Sequence, residues 1–424
     1  MLDIIYASLI GIFSGVLSGL APGIPMLLGY FVFLPLIPQE PMPLILYAMT
    51  AMMGAQFFGS QAALYYKIPG ESSSFPVLFE LKNFTSPKDI YHAVQTTTYG
   101  SLVATVFALV VIFFILYTGV LTSMYLPVWI KASIFLFLLI ATILVEWRWI
   151  TNSIVLVMGA LVSRYEEVAS AIDVLPMYYF NTFLGIIIIF STQLLFKSYE
   201  KVEFNDSTVV KKFDFNWKRW YRPFGLYSIL GSLFGFIPGH GATIASHISY
   251  GWAKLRKQSA IQRVAASETA NNSAILMAWI PLIIFGIPIN AIEITFMQYF
   301  VMLGYELDFI HETNNIVILV SMLLISALIF SWLALTTNRI IYKWIAFLLN
   351  SPVFGIIIGT LSVFMFWQGS NYTGDFIATH VAIFLPISYI IAKLRVSMVP
   401  VVIGMLLTEP MTMVAQQFLQ IYIL

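Results

Sequence analysis

Glu268, Asn271 and Asn272 stand in a stretch that is otherwise apolar, ASETANNSAILMAWIPLIIFGIP at 266–288. Amides in such a stretch donate and accept hydrogen bonds without the cost of a buried charge, and polar groups at membrane depth mark substrate or ion pathways. Placed at the tip of a hairpin, the two asparagines can reach a ligand. Glu268 has two readings: a carboxylate that helps hold a coupling cation, or a cap on a helix N-terminus. Just upstream, FIPGHGATIASHISYG at 236–251 contains the break Pro238-Gly239-His240-Gly241. A Pro-Gly-x-Gly break frees backbone N–H groups, and a helix starting there turns its positive end towards an anion. Thr243 and Ser246 fall on the first turns after it, with hydroxyls suited to a carboxylate or an ion. Gly286-Ile287-Pro288 forms a second break.

The first part of the chain offers a similar set: Ala21-Pro22-Gly23, then Gly59-Ser60, then Lys67-Ile68-Pro69-Gly70-Glu71 followed by Ser72, Ser73 and Ser74. Lys67 is either a cation facing an anionic substrate or a lysine snorkelling to the membrane interface. The serines supply hydroxyls to a ligand or simply start a helix. Glu71 joins Glu268 as a candidate for ion coupling. No metal centre is expected. The histidines at 92, 240, 247, 311 and 380 are scattered, and neither HExxH nor GxSxG occurs, so an enzyme is not expected.

The elements that carry these residues repeat. Residues 15–23 read GVLSGLAPG and residues 231–239 read GSLFGFIPG, an offset of 216 positions in a chain of 424. Each copy ends a long apolar run, and each is followed, roughly 45–50 residues on, by the second Pro/Gly break. Two related halves, each with two interrupted apolar segments, are the sequence pattern of a secondary transporter whose half-helices meet near the membrane midplane. The Gly11/Gly15/Gly19 and Gly231/Gly235/Gly239 spacings put small residues on one helix face, which implies close helix packing and not a ligand site.

Composition sets the class. Hydrophobic residues make up 60% of the chain and charged residues 10%, with no cysteine and a net charge of +1. This implies an all-α polytopic membrane protein with about 10–12 crossings plus broken helices or re-entrant hairpins, and it excludes thiolate chemistry and nucleic acid as a partner. The N-terminus reads as a retained first helix. The expected division is a first transmembrane half at 1–196, a polar linker at 197–222 and a second transmembrane half at 223–424. The linker's Lys and Arg residues, with Lys254, Arg256, Lys257 and Arg263, place those loops in the cytoplasm by the positive-inside rule. Loops of the first half lack basic residues in the equivalent places, which predicts halves inverted relative to one another. Ser86-Pro87-Lys88-Asp89 predicts a capped helix running to about Thr118, and Ser351-Pro352 opens another.

On these motifs the chain resembles the large transmembrane subunit of the tripartite tricarboxylate transporters. That family carries I-P-G-x-G-A-T-I-A-S-x-I-S-Y-G, matched by Ile237 to Gly251. Its P-E-A-A-N-N-A segment is matched at Glu268-Thr269-Ala270-Asn271-Asn272, and I-P-L-x-x-x-G-I-P-G at Ile280-Pro281-Leu282 and Gly286-Ile287-Pro288. The first-half segments and GMLLTEPM at 404–411 match more loosely. The resemblance implies import of small organic carboxylates across a plasma (inner) membrane, driven by an ion gradient with Na⁺ or H⁺ as coupling ion and no cofactor. It also implies a periplasmic solute-binding protein and a small four-helix membrane subunit as partners. The binding loops would lie around Gly23, Gly70, Gly239 and Gly286. The chain departs from the pattern at Ile289, where the family has Gly, and at Ser267, where it has Pro. It also lacks an Asp-Gly pair near Phe79-Glu80-Leu81. A passive channel and a non-transporting scaffold or sensor are the rival readings.

Overall fold

The computed structural model describes residues 1–20, 26–67, 70–84, 86–121, 127–144, 148–164, 215–336, 373–394 and 399–422, with isolated residues between 184 and 192 and between 356 and 367. Its regular elements are all helical. In chain order they begin with α1 (Leu2–Leu20), α2 (Met26–Phe33), α3 (Pro41–Tyr66), the short α4 (Phe75–Glu80), α5 (Pro87–Thr118), α6 (Val128–Leu144) and α7 (Trp149–Ser163). After the linker come α8 (Trp217–Phe234), α9 (Gly241–Leu255), α10 (Ala260–Met277), α11 (Trp279–Phe285), α12 (Ala291–Met302), α13 (Thr313–Thr336), α14 (Gly374–Leu394) and α15 (Val399–Tyr422). Five of these are long and apolar enough to cross a membrane: α1, α3, α5, α13 and α14. Apolar side chains such as Val110, Phe114, Leu233 and Trp332 cover the outside, as a protein solvated by lipid requires.

Two helices lie at the centre. α3 is buried along almost its whole length, and α10 is buried from Val264 to Met277. Each is approached closely by a helix bearing the glycine repeat. On α1, Gly11, Gly15 and Gly19 rest on the backbone of α3. A Cβ at these positions would lie 3.0 Å from the Tyr47 carbonyl, 2.6 Å from that of Ala51 and 2.7 Å from that of Ala55. On α8, Gly231 and Gly235 rest on Ala270 and Ala274 of α10 in the same manner. The expected close packing is present at Gly11, Gly15, Gly19, Gly231 and Gly235, and it replaces the hydrophobic driving force that helices lack in lipid. Gly239, expected on the same helix face, lies instead in the loop beyond the end of α8 with φ 79°. Gly54 of α3, which faces Gly15 of α1, also makes room for the Phe330 ring of α13, which meets Phe57 and Phe58 at centroid distances of 5.6 and 6.1 Å.

The helix ends follow local chemistry. Ser86 caps α5 and Asp89 returns the bond to the Ser86 backbone, with Pro87 at the first position and Thr118 at the end, as the sequence predicts. Ser351-Pro352 lies outside the described residues. α8 takes in the end of the polar linker, since Trp217 to Arg222 already form its first turns.

The expected start of the 268–289 segment needs correction. α10 begins eight residues earlier, where Ser259 and Gln262 form a capping box. Glu268, Asn271 and Asn272 therefore lie mid-helix and not at a hairpin tip, and Glu268 caps no N-terminus. The polar first turns, AIQRVAASE, hid this start from a search for apolar runs.

Among the described residues, one ion pair joins the halves. Arg263 at the start of α10 donates from Nε and Nη2 to both carboxylate oxygens of Glu80 at the end of α4, each at 2.6 Å. Tyr250 of α9 and Asn83 also donate to Glu80, which is 2% exposed. Burial works against the ionised form of Glu80, and these donors outweigh it, holding the carboxyl below its ordinary value.

Two outcomes follow from this architecture. Gly15→Val should abolish recovery of monodisperse protein on gel filtration, whereas Gly251→Ala, with no atom within 4 Å of the new Cβ, should keep yield and thermal midpoint. Arg263→Ala should cost about 3 kcal/mol or more by stranding the Glu80 carboxylate, read as a lowered thermal midpoint. Adding Glu80→Gln to that variant should recover part of the loss, because no charge is then left unpaired.

Candidate functional site

The first-half break begins where α3 ends. Lys67 caps α3 in the left-handed region, with φ 59° and ψ 21°, and its backbone N–H donates to the Ala63 carbonyl. Gly286 caps α11 in the same conformation, φ 64° and ψ 26°. Both positions precede an Ile-Pro pair, and glycine meets the left-handed geometry without strain. Lysine there costs about 1–2 kcal/mol, so a lysine held at this cap is a candidate for a role in its exposed ammonium. Gly70 then folds back on α3, its N–H donating to the Gly59 carbonyl at 3.2 Å, with the Gly19 carbonyl of α1 pressed against its other side. No side chain fits between them, which accounts for glycine at 70.

Ser72–Ser74 form one 3-10 turn after Glu71, and this turn is the seam between the halves. Ser72 Oγ and Thr243 Oγ1 of α9 are 2.9 Å apart. Ser73 Oγ donates to Gln56 Oε1 at 2.8 Å, and the Ser73 carbonyl accepts from Ser246 Oγ. Ser246 Oγ also lies 2.6 Å from Ser267 Oγ of α10. Asn271 Nδ2 reaches Ser73 Oγ at 3.3 Å and Glu268 Oε2 at 3.1 Å. Asn272 Nδ2 donates to Ser101 Oγ of α5 at 2.9 Å, to the Glu268 carbonyl and to Asn271 Oδ1. Glu268 is fully buried, with the hydroxyls of Ser60 and Ser74 beside its carboxylate.

The second-half breaks meet each other. Gly239, at φ 79°, donates its N–H to the Ile289 carbonyl at 2.6 Å, and the Ile289 N–H donates to Glu293 Oε2 at 2.8 Å. Ile289 has no positive φ, so the family's glycine is not needed at this position. Gly241 begins α9 against the Phe234 and Gly235 carbonyls, where a Cβ would not fit.

The structure thus brings together Ser60, Gly70, Glu71, Ser72, Ser73, Thr243, Ser246, Glu268, Asn271 and Asn272 around one seam. Pro238, Gly239, Gly241 and Pro288 gather at the crossing of the second-half loops, next to the start of α9. Lys67 and Gly286 stand at helix ends; Pro22, Gly23 and Pro69 lie outside the described residues. Several participants escaped sequence reasoning: Gln56, Ser101 and Ser267 at the seam, and the Glu80–Arg263 pair at the base of α10. Gln56 and Ser60, four residues apart within the apolar α3, were the visible signal, as were Ser267 and Asn271 on α10.

Comparison with known proteins supports the resemblance. The chain is 26% identical over 341 residues to an uncharacterized 52.8 kDa protein in the TAR-I ttuC' 3' region of Agrobacterium vitis, covering 70% of this chain and 63% of that protein. It is 36% identical over 81 residues to an uncharacterized protein in the TAR-II ttuC' 3' region of the same organism, covering 18% of this chain and 34% of that protein. The chain therefore spans less than two thirds of the length of the relatives it matches. No solved structure matches. The tripartite tricarboxylate transporter TctA family matches residues 5–403, nearly the whole chain. This protein belongs to the tripartite tricarboxylate transporter TctA family.

Proposed function

We propose that this chain is the membrane subunit of a secondary carrier that imports small organic carboxylates together with cations. Its halves form an inverted repeat in the inner membrane, a periplasmic binding protein delivers the substrate, and a small four-helix membrane subunit completes the system. The observation that carries this reading is the polar seam: hydroxyls and amides from α3, the 72–74 turn, α9 and α10 converge inside an apolar protein, next to two broken loops. Polar groups so placed carry a desolvation cost, and their retention fits a route for a polar solute. The start of α9, after the Gly239 loop, presents free backbone N–H groups suited to a carboxylate. The exposed Lys67 ammonium is a second attraction for an anion.

Cation coupling follows from electrostatics. An inward-moving anion works against an inside-negative potential by about 2.3 kcal/mol per charge per 100 mV. Accumulation therefore requires cations to enter with it, enough to cancel the anion's charge or exceed it. Glu268 is the carboxylate placed at the seam, and Glu71 precedes the serine turn beside it. A passive channel would show neither saturation nor stimulated exchange, and a scaffold would show no flux at all.

In vesicles bearing the complete system, accumulation of labelled carboxylate should disappear when the Na⁺ and pH gradients are both collapsed. Glu268→Gln should lose the wild-type dependence on those gradients; an unchanged dependence removes Glu268 from the coupling step. Asn271→Ala should lower uptake about tenfold or more with normal expression, because its amide bridges the serine turn and Glu268. Asn272→Ala should also lower the thermal midpoint, because its amide ties α10 to Ser101 of α5. Full uptake by Asn271→Ala would remove that amide from the transport route.

A further inference from the structure

We infer that Glu268 Oε1, Ser60 Oγ and Ser74 Oγ form a binding site for one dehydrated monovalent metal cation, at the junction of α3, the 72–74 turn and α10. The inference rests on the proposed reading of the chain as a cation-coupled carrier, and it names the ion's ligands and the kind of ion.

These three oxygens are buried and make no hydrogen bond within the protein. Ser60 is 1% exposed, while Ser74 and Glu268 are 0% exposed. Buried polar atoms without partners are few in folded proteins, and each one calls for a physical cause. Here three of them face one another. The Ser60 and Ser74 hydroxyls lie beside the Glu268 carboxylate, and neither makes a close hydrogen bond to Oε1. The other carboxylate oxygen, Oε2, is engaged by Asn271 Nδ2, which fixes the orientation of the group and leaves Oε1 turned to the hydroxyls. Gly59 keeps the space open: a Cβ there would come 3.3 Å from Ser74 Oγ.

The geometry bears on the kind of ion. A proton on Glu268 is held by close hydrogen bonds to the hydroxyls, and those bonds are not formed here. A metal cation is held by lone pairs of all three oxygens at once. Hard cations choose oxygen ligands, and one carboxylate with two neutral hydroxyls carries a single negative charge. That charge balances a monovalent ion and falls short of a divalent one. Three protein ligands leave part of the ion's shell open, and a substrate carboxylate at the seam can fill it. Binding of ion and substrate is then mutually dependent, with reciprocal effects on affinity. Because the ligands come from both halves, the ion also fastens the serine turn to α10.

Equilibrium ²²Na⁺ binding to purified full-length protein in choline buffer tests the site, with only monodisperse fractions counted. Wild-type protein should bind ²²Na⁺ saturably. Ser60→Ala, Ser74→Ala and Glu268→Gln should each weaken that binding about tenfold or more. Should a variant fail to fold, the wild-type measurement still decides: absence of saturable ²²Na⁺ binding overturns the site, as does wild-type affinity in Glu268→Gln or in both serine variants. Gradient-driven uptake in vesicles separates the two levels. Protein that binds no Na⁺ but accumulates substrate on a pH gradient overturns the site and leaves the carrier reading standing. Protein that binds ²²Na⁺ through these residues, with uptake indifferent to the Na⁺ gradient, supports the site and overturns its coupling role.

Discussion

Water is excluded from around α10, and most of the centre of this protein is arranged to meet that condition. Ser267, Glu268, Thr269, Asn271, Asn272 and Ser273 form an almost unbroken polar run on a helix with no exposed face from Val264 to Met277. Backbone groups are satisfied within the helix, but side-chain groups must find partners on neighbouring elements. Thr269 returns its hydroxyl to the Ala265 carbonyl, and Ser273 donates to the Ser228 carbonyl of α8. The rest depends on α9, α5 and the serine turn. A turn of three serines is one of the few short segments that can place hydroxyls and backbone carbonyls against such a surface at once.

The glycine-bearing helices solve a different problem. In lipid, apolar helices gain little by touching one another unless their backbones come close. Gly15 and Gly19 on α1, and Gly231 and Gly235 on α8, bring this about against α3 and α10. The result is two compact helix pairs, one in each half of the sequence, each made of a glycine-striped helix and a buried central one. At the start of α10, the Glu80–Arg263 pair joins them through a bidentate contact reinforced by Tyr250.

How much of this was legible in the sequence differs by element, for physical reasons. The capping box at Ser86 and the glycine stripes were readable because both depend on local spacing. The seam was readable in part: Ser72, Ser73, Thr243, Ser246, Glu268 and Asn271 stand out as polar residues near apolar breaks. Their pairing was not, since contacts such as Ser72 with Thr243 span 171 positions and leave no local trace. The start of α10 was misplaced because its first turns are polar, and hydropathy marks membrane depth and not helix content. The Glu80–Arg263 pair was hidden for the same reason as the serine contacts: charge type is visible in a sequence, but the partner is not.

The chemistry of the serine turn bears on how the two helix pairs can move past each other. Interdigitated apolar surfaces resist sliding, because each step lifts side chains out of their holes. Ser72, Ser73, Thr243, Ser246 and Ser267 meet through short hydroxyls that both donate and accept. Such a hydroxyl changes partner by rotating about one bond, and the tally of hydrogen bonds stays the same before and after. Along this line the protein has the mechanical character of a slip plane set between two stiff bodies. A displacement of one pair against the other would exchange hydroxyl partners along that line and would turn about the Glu80–Arg263 contact, which holds the two together at the start of α10.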